Sequence, residues 1–158
     1  MRSLLPAILA AFLALTLAAC TPGLKPAGSG TGATRMVAGE TKIAFAPLTG
    51  PPQQVADRLA VIVARDAAAR GMNLADFRER GSSYTLKGYL SAVDDDGGTL
   101  LVYVWDVLSP DLKRLNRISG KIKVGASASD AWSVVDDAAL ASLSSETLDK
   151  LAAWLSSG

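Results

Sequence analysis

Three stretches in the second half of the chain alternate apolar and polar residues with a period of two, and this constrains the fold more than any other feature. Residues 84–93, 99–108 and 114–124 each have the length and the Val, Ile, Tyr and Thr content of a strand. Asp94-Asp95-Asp96-Gly97-Gly98 separates the first pair, and Ser109-Pro110-Asp111 opens the second turn, so the three read as an antiparallel meander. Side chains on a strand alternate between faces. Leu86, Gly88, Leu90 and Ala92 share one face of the first strand, and Lys87, Tyr89 and Ser91 the other. In the third, Ile118, Gly120, Ile122 and Val124 oppose Arg117, Ser119, Lys121 and Lys123. In the middle strand Leu100, Val102 and Val104 oppose Leu101, Tyr103 and Trp105. Grouping the aliphatic even-numbered positions puts Lys87, Arg117, Lys121 and Lys123 on the other face. Those cations cannot be buried unpaired, so that face is expected to meet water. Both helices then belong on the even-numbered face, in two layers.

This grouping fixes an expected register, because paired residues share a face. A three-residue loop, Asp95-Asp96-Gly97, pairs Asp94 with Gly98, Leu90 with Val102, Tyr89 with Tyr103 and Lys87 with Trp105. A second odd loop, Pro110-Asp111-Leu112, pairs Ser109 with Lys113 and sets Trp105 opposite Arg117. Lys87, Tyr89, Tyr103, Trp105, Arg117 and Lys121 then form an exposed aromatic–basic strip, the candidate partner face.

The flanking elements complete the domain. Lys42-Ile43-Ala44-Phe45-Ala46 reads as a short strand, ended by Pro47 and the Gly50-Pro51-Pro52 turn. A helix is predicted over 51–70, with Val55, Leu59, Ile62, Val63 and Ala67 on its apolar face, an Asp66–Arg70 surface pair, and Gly71 as its stop. Residues 73–83 form a polar connection with room for a short edge strand around Leu74. Trp132 reads as an anchor in the loop after the meander. Asp136 or Asp137 caps a last helix whose stripe is Leu140, Leu143, Thr147, Leu148, Leu151, Trp154 and Leu155. The expected class is α+β: a two-layer domain over 40–158, strand, helix, three-strand meander, helix. Its four-stranded, mostly antiparallel sheet carries both helices on one face.

The chain's start carries a different signal. Met1-Arg2-Ser3 is followed by an almost wholly apolar run from Leu4 to Leu17 and by small Ala18 and Ala19. The run is shorter than the roughly 20 residues a membrane span needs. Leu17-Ala18-Ala19-Cys20 resembles a bacterial lipobox, and Cys20 is the sole cysteine. The resemblance implies a signal peptide over 1–19, cleavage between Ala19 and Cys20, and three acyl chains on Cys20. Two chains already hold a protein stably on a membrane. Thr21 follows the cysteine where an aspartate would direct inner-membrane retention under enteric sorting rules, so the expected place is the periplasmic face of the outer membrane. Residues 20–39 are expected to be a lipidated tether, rich in Gly and Pro and poor in large apolar residues. A chain of about 20 such residues spans about 25 Å on average.

The element order, with the Lys42-Ile43-Ala44-Phe45-Ala46-Pro47 strand, Tyr84-Thr85-Leu86-Lys87-Gly88 and Tyr103-Val104-Trp105-Asp106-Val107, resembles the amino-terminal domain of TolB. It also resembles the folds of curli-secretion and penicillin-binding-protein-activator lipoproteins. Those families assemble envelope machines and do not catalyse reactions. The chain lacks TolB's propeller and the insertions of curli-secretion proteins, so pore formation and a Tol role do not carry over. A lipopolysaccharide-transport lipoprotein has a similar element order.

Composition narrows the chemistry. There is no histidine, and the one thiol is the expected lipid site, which removes the usual general base, zinc ligands and thiol nucleophile. Asp94-Asp95-Asp96 does not fit a calcium loop, since Gly98 falls on a ligand position. Asp106, at a strand end, would be satisfied by Arg114 or Asn116. Lys and Arg total 16 against 15 acids, and losing Arg2 with the signal leaves a neutral chain with no charge excess for nucleic acid. No enzyme activity, metal or cofactor is expected. The expected function is a non-catalytic envelope lipoprotein that binds or scaffolds an unknown protein partner. The alternative is a binder of a small envelope lipid or glycan, and a filled core between sheet and helices would favour the former.

Overall fold

The structure is a computed structural model that describes residues 41–157. The expected signal peptide 1–19, the tether 20–39 and the lipid site Cys20 lie outside the described residues. Five strands and two long helices follow in the order β1 (Lys42–Phe45), α1 (Gln53–Ala69), β2 (Asn73–Asp76), β3 (Tyr84–Asp95), β4 (Gly98–Leu108), β5 (Arg114–Val124), a 3-10 turn (Ala131–Val134) and α2 (Asp137–Ser156). The sheet has five strands, not four, because the segment around Leu74 joins as β2. Its order is β2-β1-β3-β4-β5. β1 runs parallel to both β2 and β3, while β3, β4 and β5 are antiparallel, so the sheet is mixed.

α1 forms where the apolar spacing places it. Val55, Leu59, Ile62, Val63 and Ala67 are its buried residues. Pro52 precedes the first turn, where its missing N–H is harmless. Gly71, at φ 68°, ends the helix: its N–H donates to Ala68 O at 3.0 Å, and that of Met72 donates to Ala67 O at 2.9 Å. This is the double bond of a Schellman stop. α2 is capped by Asp136, whose carboxylate accepts from Ala139 N at 2.9 Å. The helices are cross-linked: Arg58 donates to Asp137 at 2.9 Å and Arg70 to Asp149 at 3.2 Å at the surface, and the buried Ser144 donates to Asp66 at 2.8 Å. The expected Asp66–Arg70 carboxylate pair is replaced by these links. Asp66 holds Arg65 and Ser144, and Arg70 reaches the Asp66 carbonyl and Asp149. Trp132 sits half-buried in the 3-10 turn.

The register corrects the sequence reading. β3 and β4 meet through a two-residue turn, with Asp95 opposite Gly98. Asp96 at φ 40° and Gly97 at φ 81° both take left-handed backbone, the conformation that an Asp-Gly pair supplies in a tight hairpin. Every β3–β4 pair therefore sums to an odd number. Leu90 faces Tyr103, Gly88 faces Trp105, Lys87 faces Asp106 and Tyr89 faces Val104. At the second turn the expected three-residue loop forms: Ser109 N donates to Lys113 O at 2.9 Å, and Leu112 takes the left-handed position at φ 62°. A bulge between Val107 and Leu108 and their β5 partners, around Leu115, then shifts the pairing, so Trp105 faces Ile118 and Asp106 faces Arg117.

The faces follow from this register. Leu86, Gly88 and Leu90 share the helix-facing side with Leu101, Tyr103, Trp105 and Val107 and with Ile118, Gly120 and Val124. The open side holds Lys87, Tyr89 and Ser91, then Leu100, Val102, Val104 and Asp106, then Arg117, Ser119, Lys121 and Lys123. Both helices do lie on one face, but β4 is turned over relative to expectation. One core runs from Ile43 to Leu155 and includes Tyr103 and Trp105 among its fully buried side chains. Burying one of its aliphatic side chains, such as Leu86 or Leu101, stabilises the fold by about 1.5–3 kcal/mol.

Candidate functional site

Among the described residues, the open face of the sheet is the surface that local folding leaves uncovered. Of the expected partner strip, Lys87, Tyr89, Arg117 and Lys121 stand on it, while Tyr103 and Trp105, both 0% exposed, do not. The two aromatics are in the core because each has a glycine for a cross-strand neighbour. A Cβ at Gly88 would collide with the Trp105 ring and Leu48, and one at Gly120 would collide with Tyr103. Trp105 also packs on Phe45, ring centroids 5.4 Å apart. These facing glycines were the sequence signal for the true register.

In place of Trp105, Asp106 sits in the cross-strand row between Lys87 and Arg117. Arg117 grips it with both arms, Nε to Oδ1 at 2.7 Å and Nη2 to Oδ2 at 2.9 Å. This replaces the expected partners Arg114 and Asn116. Asp106 is only 7% exposed. The Arg117 hydrogen bonds hold its carboxyl below the usual range against the opposing cost of burial, helped by the fields of Arg117, Arg114 and Lys87. Lys87 Nζ lies 5.4 Å from the Tyr89 ring centroid. A contact of that kind contributes about 0.5–1 kcal/mol at an exposed site.

Three further rows complete the surface: Tyr89, Val104, Ser119; Ser91, Val102, Lys121; and Val93, Leu100, Lys123. Leu100, Val102 and Val104 are half-buried and form an apolar column along β4. The cations of β5 stand beside it, with Lys123 3.7 Å from Asp95. The face thus offers apolar contact flanked by positive charge, which suits an acidic, amphipathic partner surface.

On the opposite, helix-facing side, Tyr103 reaches the rim. Its hydroxyl donates to Glu146 Oε2 at 2.6 Å, and Lys150 Nζ bridges Glu146 Oε1 at 3.1 Å, Tyr103 Oη at 3.3 Å and Ser119 O at 2.9 Å. Burial, then the Glu146 carboxylate, push the phenol well above its ordinary value. The Tyr103 hydrogen bond holds Glu146 below the usual carboxylate range, against its desolvation and with help from Lys150. This triad welds α2 to β4 and β5.

Surface clefts flank α1. One, of about 430 Å³, lies at the carboxyl ends of β1 and β2, between Phe45, Leu48, Gln53, Asp57, Phe77 and Arg78. Another lies between Pro52, Arg58, Asp130 and Trp132. Among the described residues no group of three or more His, Cys, Asp or Glu is arranged to hold a metal ion, and no helix is long and apolar enough to cross a membrane.

No family model matches the chain, and a search of curated proteins finds no match. Solved structures similar to it include a PelC dodecamer from Paraburkholderia phytofirmans, 17% identical over 70% of this chain and 88% of that one, with a TM-score of 0.47. Lipoprotein GNA1162 from Neisseria meningitidis is 11% identical over 71% of this chain and 98% of its own, with a TM-score of 0.43. A DUF330 protein from Xanthomonas campestris is 13% identical over 73% of this chain and 81% of its own, with a TM-score of 0.44. At such identities the chemistry of the site is carried by this chain's own residues.

Proposed function

We propose that the chain is a lipid-anchored protein of the bacterial envelope, on the periplasmic face of the outer membrane. There its domain binds a protein partner in envelope assembly through the open face of the sheet. The observation that carries this reading is the filled space between sheet and helices, where Tyr103 and Trp105 occupy the volume a deep ligand pocket would need. What the fold leaves for recognition is a surface: the Leu100, Val102, Val104 column beside Lys87, Arg117 and Lys121. The lipobox at Leu17-Ala18-Ala19-Cys20 supports the anchoring half of the reading.

Photocrosslinking amino acids at Tyr89 and Lys121, with one on the outer face of α1 at Val61 as control, test the reading in the living cell. A discrete protein adduct is expected from the sheet positions and none from Val61. An adduct pattern shared by all three, or crosslinks from the sheet to lipid or glycan alone, would defeat the protein-partner reading. In the latter case the cleft beside Phe45 and Phe77 becomes the place to examine for a small envelope ligand.

A further inference from the structure

We infer that the β4–β5 hairpin tip is a second membrane contact, which seats the tethered domain on anionic phospholipid with that end of the sheet facing the bilayer. The tip is an unusual piece of surface. Leu112 occupies the left-handed position of the loop at φ 62°, where glycine or asparagine is the ordinary choice, and its side chain is 67% exposed. Leu115, at the bulge, is 50% exposed. Lys113 and Arg114 lie between them, and both are exposed. Two leucines held in water with cations between them are what an interfacial contact requires: apolar side chains for the headgroup–acyl boundary and positive charge for lipid phosphates. Asp111 is the one acid of the tip. Ser109 and Lys113 both engage its carboxylate, and the Ser109 hydrogen bond, then that of Lys113, holds it ionised below the usual range.

The topology says which membrane. Leu108 pairs with Thr85, and Thr85 with Ala44, so the tip lies at the end of the sheet where the chain enters β1. Residues 21–39, read from composition as a tether, lead from that end to Cys20. Their average span of about 25 Å keeps the tip within reach of the surface that would hold the lipid. Lys42 lies at the same end, but its ammonium is paired with Glu79 at 2.7 Å, so the free positive charge there is that of the tip itself. The opposite end of the meander carries Asp94, Asp95 and Asp96, which an anionic surface repels. The chain is almost neutral overall, and the contrast lies between the two turns: Lys113 and Arg114 beside a single acid at the tip, and three successive aspartates at the far turn. The inference rests on the lipid-anchor reading.

The test uses the full lipidated protein in vesicles. With Cys20 acylated, a single introduced cysteine is the one free thiol. An environment-sensitive fluorophore is placed at Pro110→Cys in the tip or at Asp96→Cys at the far turn. In phosphatidylcholine–phosphatidylglycerol vesicles the probe at 110 should brighten several-fold, shift to the blue and be quenched by nitroxide lipids. The probe at 96 should stay in water. Leu112→Ser with Leu115→Ser, or Lys113→Glu with Arg114→Glu, should return the 110 probe to water while the protein still floats with the vesicles. Equal spectra at 110 and 96 in floating protein would overturn the inference alone. Failure to float would overturn the anchor reading, and the inference with it.

Discussion

Gly88 and Gly120 do the seating for the two largest side chains of the core. Each is small because an aromatic ring from β4 lies across it, so their substitution is a packing test rather than a backbone one. Gly88→Ala should cost about 1–3 kcal/mol in urea denaturation through overpacking against Trp105 and Leu48. Trp105→Ala should cost about 3–5 kcal/mol, the loss typical of a buried tryptophan, and leave little folded protein. That expectation reverses the one a solvent-facing Trp105 would give. The sequence left β4 ambiguous for a physical reason. Leu100, Val102 and Val104 on one side and Leu101, Tyr103 and Trp105 on the other are all apolar, so alternation alone could not choose a face. The cations of β3 and β5 made their own strands unambiguous, and the placement of Lys87, Tyr89, Arg117 and Lys121 followed.

The Tyr103–Glu146–Lys150 triad makes a two-sided prediction about pH. Glu146 is held below its ordinary range, so its contribution is present above about pH 4.3, the ordinary glutamate value, and is lost as pH falls through the lowered one. Tyr103 is held above its ordinary range, so its contribution is present below about pH 10 and is lost as pH rises further. Urea midpoints measured across pH should therefore decline on both flanks. Glu146→Gln should flatten part of the acid flank, and Tyr103→Phe part of the alkaline one. Asp106→Asn should also flatten the acid flank, since Asp106 is held low by Arg117.

At the scale of elements, one turn decides the sheet. Asp96-Gly97 closes the β3–β4 hairpin with both residues left-handed, and a two-residue loop gives the odd-sum register. Asp96→Asn should hold or slightly raise the melting temperature, because Asn-Gly suits this turn at least as well. Gly97→Ala should lower stability by about 1 kcal/mol, because alanine does not relax at φ 81°. The α1 stripe, the Gly71 stop, the Asp136 cap and the three-residue loop at 110–112 were legible because each rests on a few adjacent residues. The Leu115 bulge was not, since nothing in β5 alone marks where its pairing slips. β2 is four residues long, too short for its alternation to declare it, and it joins through parallel pairing to β1.

At the scale of the molecule, the core runs from Ile43 to Leu155 and closes among the described residues. A chain beginning at Glu40 should therefore melt within a degree or two of one beginning at Thr21. A large loss would show that 21–39 packs on the domain. Cys20→Ala should abolish acyl labelling and membrane retention, and normal retention of that variant would refute the anchor. The proposed anchoring also changes what the sheet's outer edge must withstand. Proteins confined to a bilayer meet in two dimensions at far higher effective concentration than free ones. Among the described residues β5 is an eleven-residue strand with no neighbour beyond it, the kind of edge that stacks into ribbons when copies crowd together. Lys121 stands charged along it, the bulge interrupts its pairing, and Lys150 occupies the Ser119 carbonyl that a neighbouring strand would seek. On the proposed anchor, the features that shape the open face therefore also work against strand-to-strand stacking of neighbouring copies.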